Sequence, residues 1–378
     1  MKKLNKRIIS TILLLIFLFA FSACDNAGQK TTKDDNGNKK VTKILLLVAG
    51  NLGDKSFQDS SQEGMNLIKK KYGSKVQVKT IELGSDKTKF VPGLEDASED
   101  GYDVIITGTF NMKQPIEQVA PKYPKQTYIV FDTSVDYNKI KGLSNVYTIT
   151  YKQNEVAFLA GALAAQVTTK TDMKNINPDK KIGFVGAMDN PLINDYLVGY
   201  IEGAHYIDKA IKVDYSFTQS FTDAAKGKEL ALVQYQNDGV DIGFNVAGRA
   251  GLGQIDAAQS ANKYVIGVDS DQAELFSSTP DKANKILTSA LKRVDNTLLR
   301  AVDMYMAGKL PKGKTENLGL KEKALGLADN SYYEKLVPQD IRTKMDEVQK
   351  KVASGQIKID SAYGMSSDQL AKVRQSAK

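Results

Sequence analysis

Short apolar runs alternate along the chain with stretches in which apolar residues recur at helical spacing. Val41–Ala49 (VTKILLLVA) predicts a buried strand and Ser60–Tyr72 a helix. Further strands are expected at Val76–Leu83, Tyr102–Thr107, Thr127–Phe131 and Asn145–Thr150, with a helix near Met112–Lys122. A second series then repeats the same order. Gln153–Thr168 (QNEVAFLAGALAAQVT) predicts a long helix of small residues, followed by strands at Lys181–Gly186, Lys212–Phe217, Asp241–Ala247, Tyr264–Asp269 and Lys285–Lys292. The helices of this series are expected at Leu197–Lys209, Ala224–Gln236, Ile255–Asn262, Arg293–Met306 and Pro338–Ala353. Repeated strand–helix order predicts an α/β protein with parallel, doubly wound sheets and right-handed crossovers. Because the order occurs twice, two such units are expected.

The N-terminus departs from this pattern. Lys2, Lys3, Lys6 and Arg7 precede Ile8–Phe21, an apolar run broken only by Ser10 and Thr11. That run is short of the ~20 residues a membrane-spanning helix needs. It fits the apolar segment of a secretory signal peptide, expected over residues 1–23. The run ends Phe21-Ser22-Ala23-Cys24, which resembles a bacterial lipobox, with Phe21 where Leu is usual. Lipidation of Cys24 would supply acyl chains that contribute ~0.8 kcal/mol per buried methylene, and two or more chains hold a protein on a membrane stably. The alternative is an ordinary signal peptide with Cys24 incidental. Residues 24–41 are polar and rich in Lys, Asn and Gly, and read as a tether of ~20–25 Å root-mean-square reach.

Composition narrows the chemistry. The 378 residues are 42% apolar and 25% charged, with one cysteine and one histidine, His205. Such a chain buries a large core and forms no internal disulfide, no multi-cysteine zinc site and no histidine-rich metal centre. The formal charge of +8 comes from 52 Lys and Arg against 44 Asp and Glu, and four of those cations lie in the first seven residues. The remainder is dispersed, so no nucleic-acid partner is expected. No nucleophile–base pair is visible, so binding rather than catalysis is expected, without a cofactor or metal.

Eight segments carry a more specific signal: GNLGDKSFQDSSQEG (50–64), YDVIITGTF (102–110), FLAGALAA (158–165), KIGFVGAMDNP (181–191), SFTDAAKGKELA (220–231), DIGFNVAGRAGLG (241–253), VIGVDSDQ (265–272) and ILTSALKRVD (286–295). In this order they resemble the basic membrane protein (BMP) family, which contains purine-nucleoside receptor lipoproteins of ABC importers. The resemblance implies the type I periplasmic-binding-protein fold, two lobes joined by three chain crossings, and a permease and ATPase as partners. The expected lobes are 42–147 with about 292–320, and 148–291 with about 321–378.

The resemblance also implies roles. Phe57 and Phe221 are placed on the two faces of a base, where each stack contributes ~1–3 kcal/mol without demanding a particular base; read by themselves, without the motif, both are core residues. Asp132 and Asp269, at strand ends, are placed at the ribose, where ionised carboxylates accept hydrogen bonds from hydroxyls. Helix capping is the alternative for each, and Asp271 and Gln272 are neighbouring candidates. Lys292 is placed at the sugar, against the alternative of a solvated surface lysine. Gly248 in GRAGLG, with Gly251 and Gly253 after it, permits a tight turn and close approach of the backbone to the ligand, while Asn245 is read as structural.

The chain departs from the family at two positions. Purine-binding members commonly carry Asp nine residues before the first stacking Phe and Asn just after it, whereas this chain has Val48 and Gln58. Gln58 becomes the candidate for reading the base edge, and the identity of the base stays open. Besides a nucleoside receptor, the sequence admits a receptor for another ring-bearing solute such as riboflavin, a ligand-sensing signalling protein of the same fold, and a nucleoside hydrolase.

Overall fold

The computed structural model describes residues 41–378. The predicted signal peptide, Cys24 and all but the last residue of the predicted tether lie outside the described residues.

The first half runs β1 (Thr42–Val48), α1 (Phe57–Tyr72), β2 (Val76–Glu82), α2 (Phe90–Glu99), β3 (Val104–Gly108), α3 (Lys113–Val119), β4 (Thr127–Phe131) and β5 (Val146–Tyr151). The chain then builds a second sheet. It contains α4 (Gln153–Thr168), β6 (Lys181–Gly186), α5 (Pro191–Ile207), β7 (Lys212–Phe217), α6 (Ala224–Gln236), β8 (Ile242–Val246), α7 (Leu252–Ala261), β9 (Tyr264–Asp269), α8 (Gln272–Leu275), α9 (Pro280–Ala283) and β10 (Ile286–Lys292). The C-terminal part comprises α10 (Val294–Met306), β11 (Lys314–Leu318), β12 (Leu325–Leu327), α11 (Ser331–Leu336), α12 (Gln339–Ala353) and α13 (Ser367–Ser376).

Strand order is β11-β5-β4-β3-β1-β2 in one sheet and β12-β10-β9-β8-β6-β7 in the other. The two sheets therefore share one plan. Every neighbouring pair is parallel except β10 with β12. In each sheet the order reverses beside the first strand, and ligand sites of open α/β sheets lie beyond the carboxyl ends of strands at such a point. The chain passes between the halves three times: from β5 to α4, from β10 to α10, and from β11 to β12.

Burial explains why these runs are strands. On β1, Ile44, Leu46 and Val48 join one core while Leu45 and Leu47 join another on the opposite face. Both faces are covered, so the strand is apolar throughout rather than alternating. The small-residue helix α4 is buried on nearly all sides. It packs backbone-close to α5: a Cβ on Gly203 would lie 2.0 Å from the Phe158 carbonyl oxygen, so only glycine allows this crossing. The single histidine, His205, is partly buried and its Nε2 meets the Ile211 carbonyl at 3.2 Å.

Several boundaries differ from the sequence reading. Helix α5 begins at Pro191 rather than Leu197, because Asn190 caps it and proline suits its first turn. Helix α2 was not anticipated. Its Pro92 lies in the first turn, where a missing N–H costs nothing. The edge strand β11 is polar (KTENL) and lacked an apolar signal.

Candidate functional site

A cavity of about 880 Å³ opens between the strand ends of the two halves. Its volume lies near the upper end of the usual range for ligand pockets, ~300–1,000 Å³. Phe57, Gln58, Asp132, Phe221, Gly248, Asp269 and Lys292 all line it. The sequence positions span more than two hundred residues, and the topology gathers them at one place.

The first wall is the loop from Gly50 to Ser56 and the start of α1. Ser56 stands at the N-cap but makes no capping bond with its side chain. Asp54 caps instead: its carboxylate accepts from the backbone amides of Ser56, Gln58 and Asp59 at 3.0, 3.0 and 3.2 Å. Burial pushes the Asp54 carboxyl up, and those amides oppose the shift. The Ser56 hydroxyl is thereby left for another task, and it donates to Asp269 Oδ2 in the second half at 2.6 Å. Phe57 follows as the first residue of α1, its ring 5.4 Å from that of Phe131. Phe131 in turn lies over Gly108, where a Cβ would come within 2.6 Å of the ring. Gln58 packs its amide over Gly50.

The floor is ionic. Lys292, the last residue of β10, is 2% exposed, and its Nζ donates to Asp132 Oδ1 at 2.7 Å. The ammonium also lies 5.5 Å from the ring centre of Phe57, 5.3 Å from Tyr151 and 5.4 Å from Tyr196. Burial pushes the Asp132 carboxyl up and Lys292 pulls against it. The Asp269 carboxyl is pushed up to about 6, chiefly by burial, with Lys292 and the Ser56 hydrogen bond opposing. Tyr196 OH approaches Asp269 Oδ1 at 3.5 Å. Neither aspartate caps a helix: no helix follows β4 directly, and Asp271 caps α8. Asp271 is otherwise occupied by Asn330, and Gln272 is fully buried with Asn245, so neither lines the cavity.

The opposite wall carries Phe221, half-buried, with its ring 6.2 Å from Phe110 of the first half. Gly248 has φ +55°, a conformation that favours glycine, and a Cβ there would sit 3.4 Å from the Phe221 carbonyl oxygen. Gly251 and Gly253 serve packing instead, closing on Asn245 and on the backbone of α6. Asn245 is fully buried in that network.

The halves are stitched around the cavity. Arg249 Nη2 donates to the Leu52 carbonyl at 2.7 Å, Ser270 Oγ to the Ser56 carbonyl at 2.9 Å, and Gln272 Nε2 to the Lys55 carbonyl at 3.0 Å. Sequence reasoning did not find Tyr151, Tyr196, Phe110 or Arg249. Phe110 and Arg249 stood inside quoted motifs, whereas the two tyrosines carried no signal beyond being aromatic. Among the described residues no group of three or more His, Cys, Asp or Glu could hold a metal ion.

The chain is 32% identical over 349 residues to basic membrane protein D of Borreliella burgdorferi (strain JD1), covering 91% of this chain and 93% of that one. It is 27% identical over 366 residues to a protein of Lactococcus lactis subsp. cremoris named ABC transporter nucleoside-binding protein BmpA, covering 92% and 99%. Among solved structures, an ABC transporter solute-binding protein from Aeropyrum pernix K1 superposes with a TM-score of 0.75 at 26% identity, over 89% of this chain and 98% of that one. The fold is that of ABC solute-binding proteins of the type I periplasmic-binding class. The family described as ABC transporter substrate-binding protein PnrA-like matches residues 41–361, and the chain belongs to it.

Proposed function

We propose that this protein captures a nucleoside, purine favoured, in the inter-lobe cavity and delivers it to an ABC permease and its ATPase without transforming it. The observation that carries the reading is the pairing of strand-end acids from opposite halves, Asp132 and Asp269, around Lys292, with Phe57 and Phe221 on the cavity walls. Acids of this kind suit ribose hydroxyls, and the rings suit the faces of a base. The three crossings leave the two lobes free to hinge, with 42–147 and about 292–320 moving against 148–291 and about 321–378. Solute-binding proteins of this family work outside the cytoplasm. Cys24 is the proposed lipid anchor and residues 24–41 the tether. Among the described residues, no helix is long and apolar enough to cross a membrane.

The cavity volume favours one second reading. About 880 Å³ also accommodates a larger ring-bearing solute such as riboflavin. Calorimetry on the purified protein with adenosine, inosine, guanosine, uridine, riboflavin, free bases and ribose decides between them. Phe57→Ala and Phe221→Ala are each expected to weaken nucleoside binding by ~10-fold or more while the fold survives. Unchanged affinity in both removes the proposed base clamp. Base release from inosine or uridine would instead make the protein a hydrolase.

A further inference from the structure

The family match ends at residue 361, and the chain beyond it packs beside the turn that carries the cavity-lining Met188 and Asn190. Helix α13 starts with a complete capping box, Ser366 with Gln369. It is anchored by Val373 against the main core and by Ala377, which is 1% exposed. The Ala377 carbonyl accepts the amide of Val213 on the edge strand β7 at 2.8 Å. From this seat the Arg374 guanidinium stacks over Tyr215 and Phe217 of β7, 5.7 and 5.4 Å from the ring centres. Its Nη2 donates to Asp189 Oδ1 at 2.6 Å and to Asn194 Oδ1 at 2.7 Å. Asn194 Nδ2 donates to the same Asp189 oxygen at 2.9 Å.

Asp189 lies between two cavity-lining residues, Met188 and Asn190. Asn190 accepts the Ile193 amide at 3.0 Å and so begins α5, whose Leu192 and Ile193 also line the cavity. Met188 and Phe221 pack on the same small cluster of Ala187, Ala247 and Ala250. On its inner side this turn is fixed by backbone bonds, Ala187 N to the Val246 carbonyl and Asn190 N to the Met188 carbonyl, both at 3.0 Å. On its outer side it is held by Arg374, whose cation lies over the rings of Tyr215 and Phe217. We propose that Arg374 is a positioning residue for the cavity: from outside the family-matched region it pins Asp189 and Asn194, and through them the 188–190 turn beside Phe221.

The inference rests on the proposed ligand site for its affinity arm alone. The test uses the full chain labelled with 13C-methyl methionine, the Met188 signal being assigned by its loss in Met188→Leu. In Arg374→Gln the fold is kept by Val373, Ala377 and the Val213–Ala377 bond. The Met188 methyl signal is expected to shift or broaden without ligand, while those of Met65 and Met112, buried in the first half, stay put. Inosine affinity is expected to fall roughly 3- to 10-fold through faster dissociation, with only partial recovery in Arg374→Lys, whose ammonium keeps the charge but lacks the guanidinium's planar shape. An unmoved Met188 signal overturns the proposal, and so does a moved signal with unchanged inosine affinity. Changes that spread to Met65 and Met112 overturn it as well, since they report general loosening. If the unaltered protein binds none of adenosine, inosine, guanosine and uridine, the nucleoside reading fails, and the ligand-free Met188 signal still decides this one.

Discussion

Asp132 and Asp269 occupy matching places in two sheets of one plan, yet opposite chemistry holds them. Each follows or ends the strand that neighbours β3 or β8 on its outer side, and each has a left-handed backbone, φ +59° and +63°. Aspartate tolerates that conformation better than most residues. Asp132 is met by a cation from the second half, whereas Asp269 is met by a serine hydroxyl from the first. The difference arises one strand further out. Where β10 ends in Lys292, β5 ends in Tyr151. A duplicated plan thus supplies two matched acids, and a single unmatched position supplies one cation for both. Burial raises both carboxyls, Asp132 against its ion pair with Lys292 and Asp269 to about 6.

The largest effect expected from breaking this asymmetry is that of Lys292→Met. The ion pair is buried on both sides, 2% and 7% exposed. Removing the cation leaves Asp132 charged and unpaired, which typically costs ~3–5 kcal/mol. Denaturant unfolding at pH 7 should show a loss of that size, with ligand binding abolished. A loss under ~1 kcal/mol would mean that Lys292 is not what makes the buried Asp132 tolerable.

The next effect tests Asp269 by pH. Asp269 titrates near 6 in the folded protein and at an ordinary 3.8 when unfolded. Between those values the folded state binds more protons, so this group's contribution to stability falls as pH rises from about 4 to about 6. Ligand binding runs the other way. Hydroxyls donate to an ionised carboxylate, so affinity should rise with pH to a plateau above about 6 and fall ~10-fold per unit well below it. Calorimetry in buffers of different ionisation heat should detect proton release on binding near pH 5.5. Asp269→Asn should flatten the profile while weakening binding throughout. An affinity constant from pH 5 to 7.5 in the unaltered protein would exclude Asp269 as an ionised ligand acceptor.

The fold was legible in the sequence where apolar runs met clear punctuation. Thr127–Phe131, Lys181–Gly186, Lys212–Phe217 and Tyr264–Asp269 are strands at the residues expected, and Gln153–Thr168 and Ala224–Gln236 helices. The polar edge strand β11 and the short β12 escaped because pairing partners, rather than their own composition, make them strands. The candidate site divides in the same way. Strand-end acids and motif glycines stand out in a linear sequence. Tyr151 and Tyr196 do not, because their place around Lys292 exists only once β5, β10 and α5 are packed. The cross-lobe use of Ser56 was also hidden: a serine before a helix reads as a cap, and only the geometry shows Asp54 doing that work.

That exchange of tasks gives the smallest and sharpest prediction. Ser56→Ala removes the hydroxyl that donates to Asp269 Oδ2 at 2.6 Å. Because Asp54 satisfies the first amides of α1, the helix should lose none of its capping, and thermal stability should change little. The cavity, by contrast, loses one bond between the two sheets that border it, so nucleoside affinity should fall ~3- to 10-fold. The Ser56 hydrogen bond also lowers the Asp269 carboxyl's titration point, so without it the midpoint of the pH–affinity profile should move above about 6. Lower affinity and a higher midpoint together distinguish loss of this bond from a general loosening, which would weaken binding without moving the midpoint. A midpoint that stays at about 6 would mean that Ser56 leaves the acid unperturbed, and that the two aspartates differ only through Lys292.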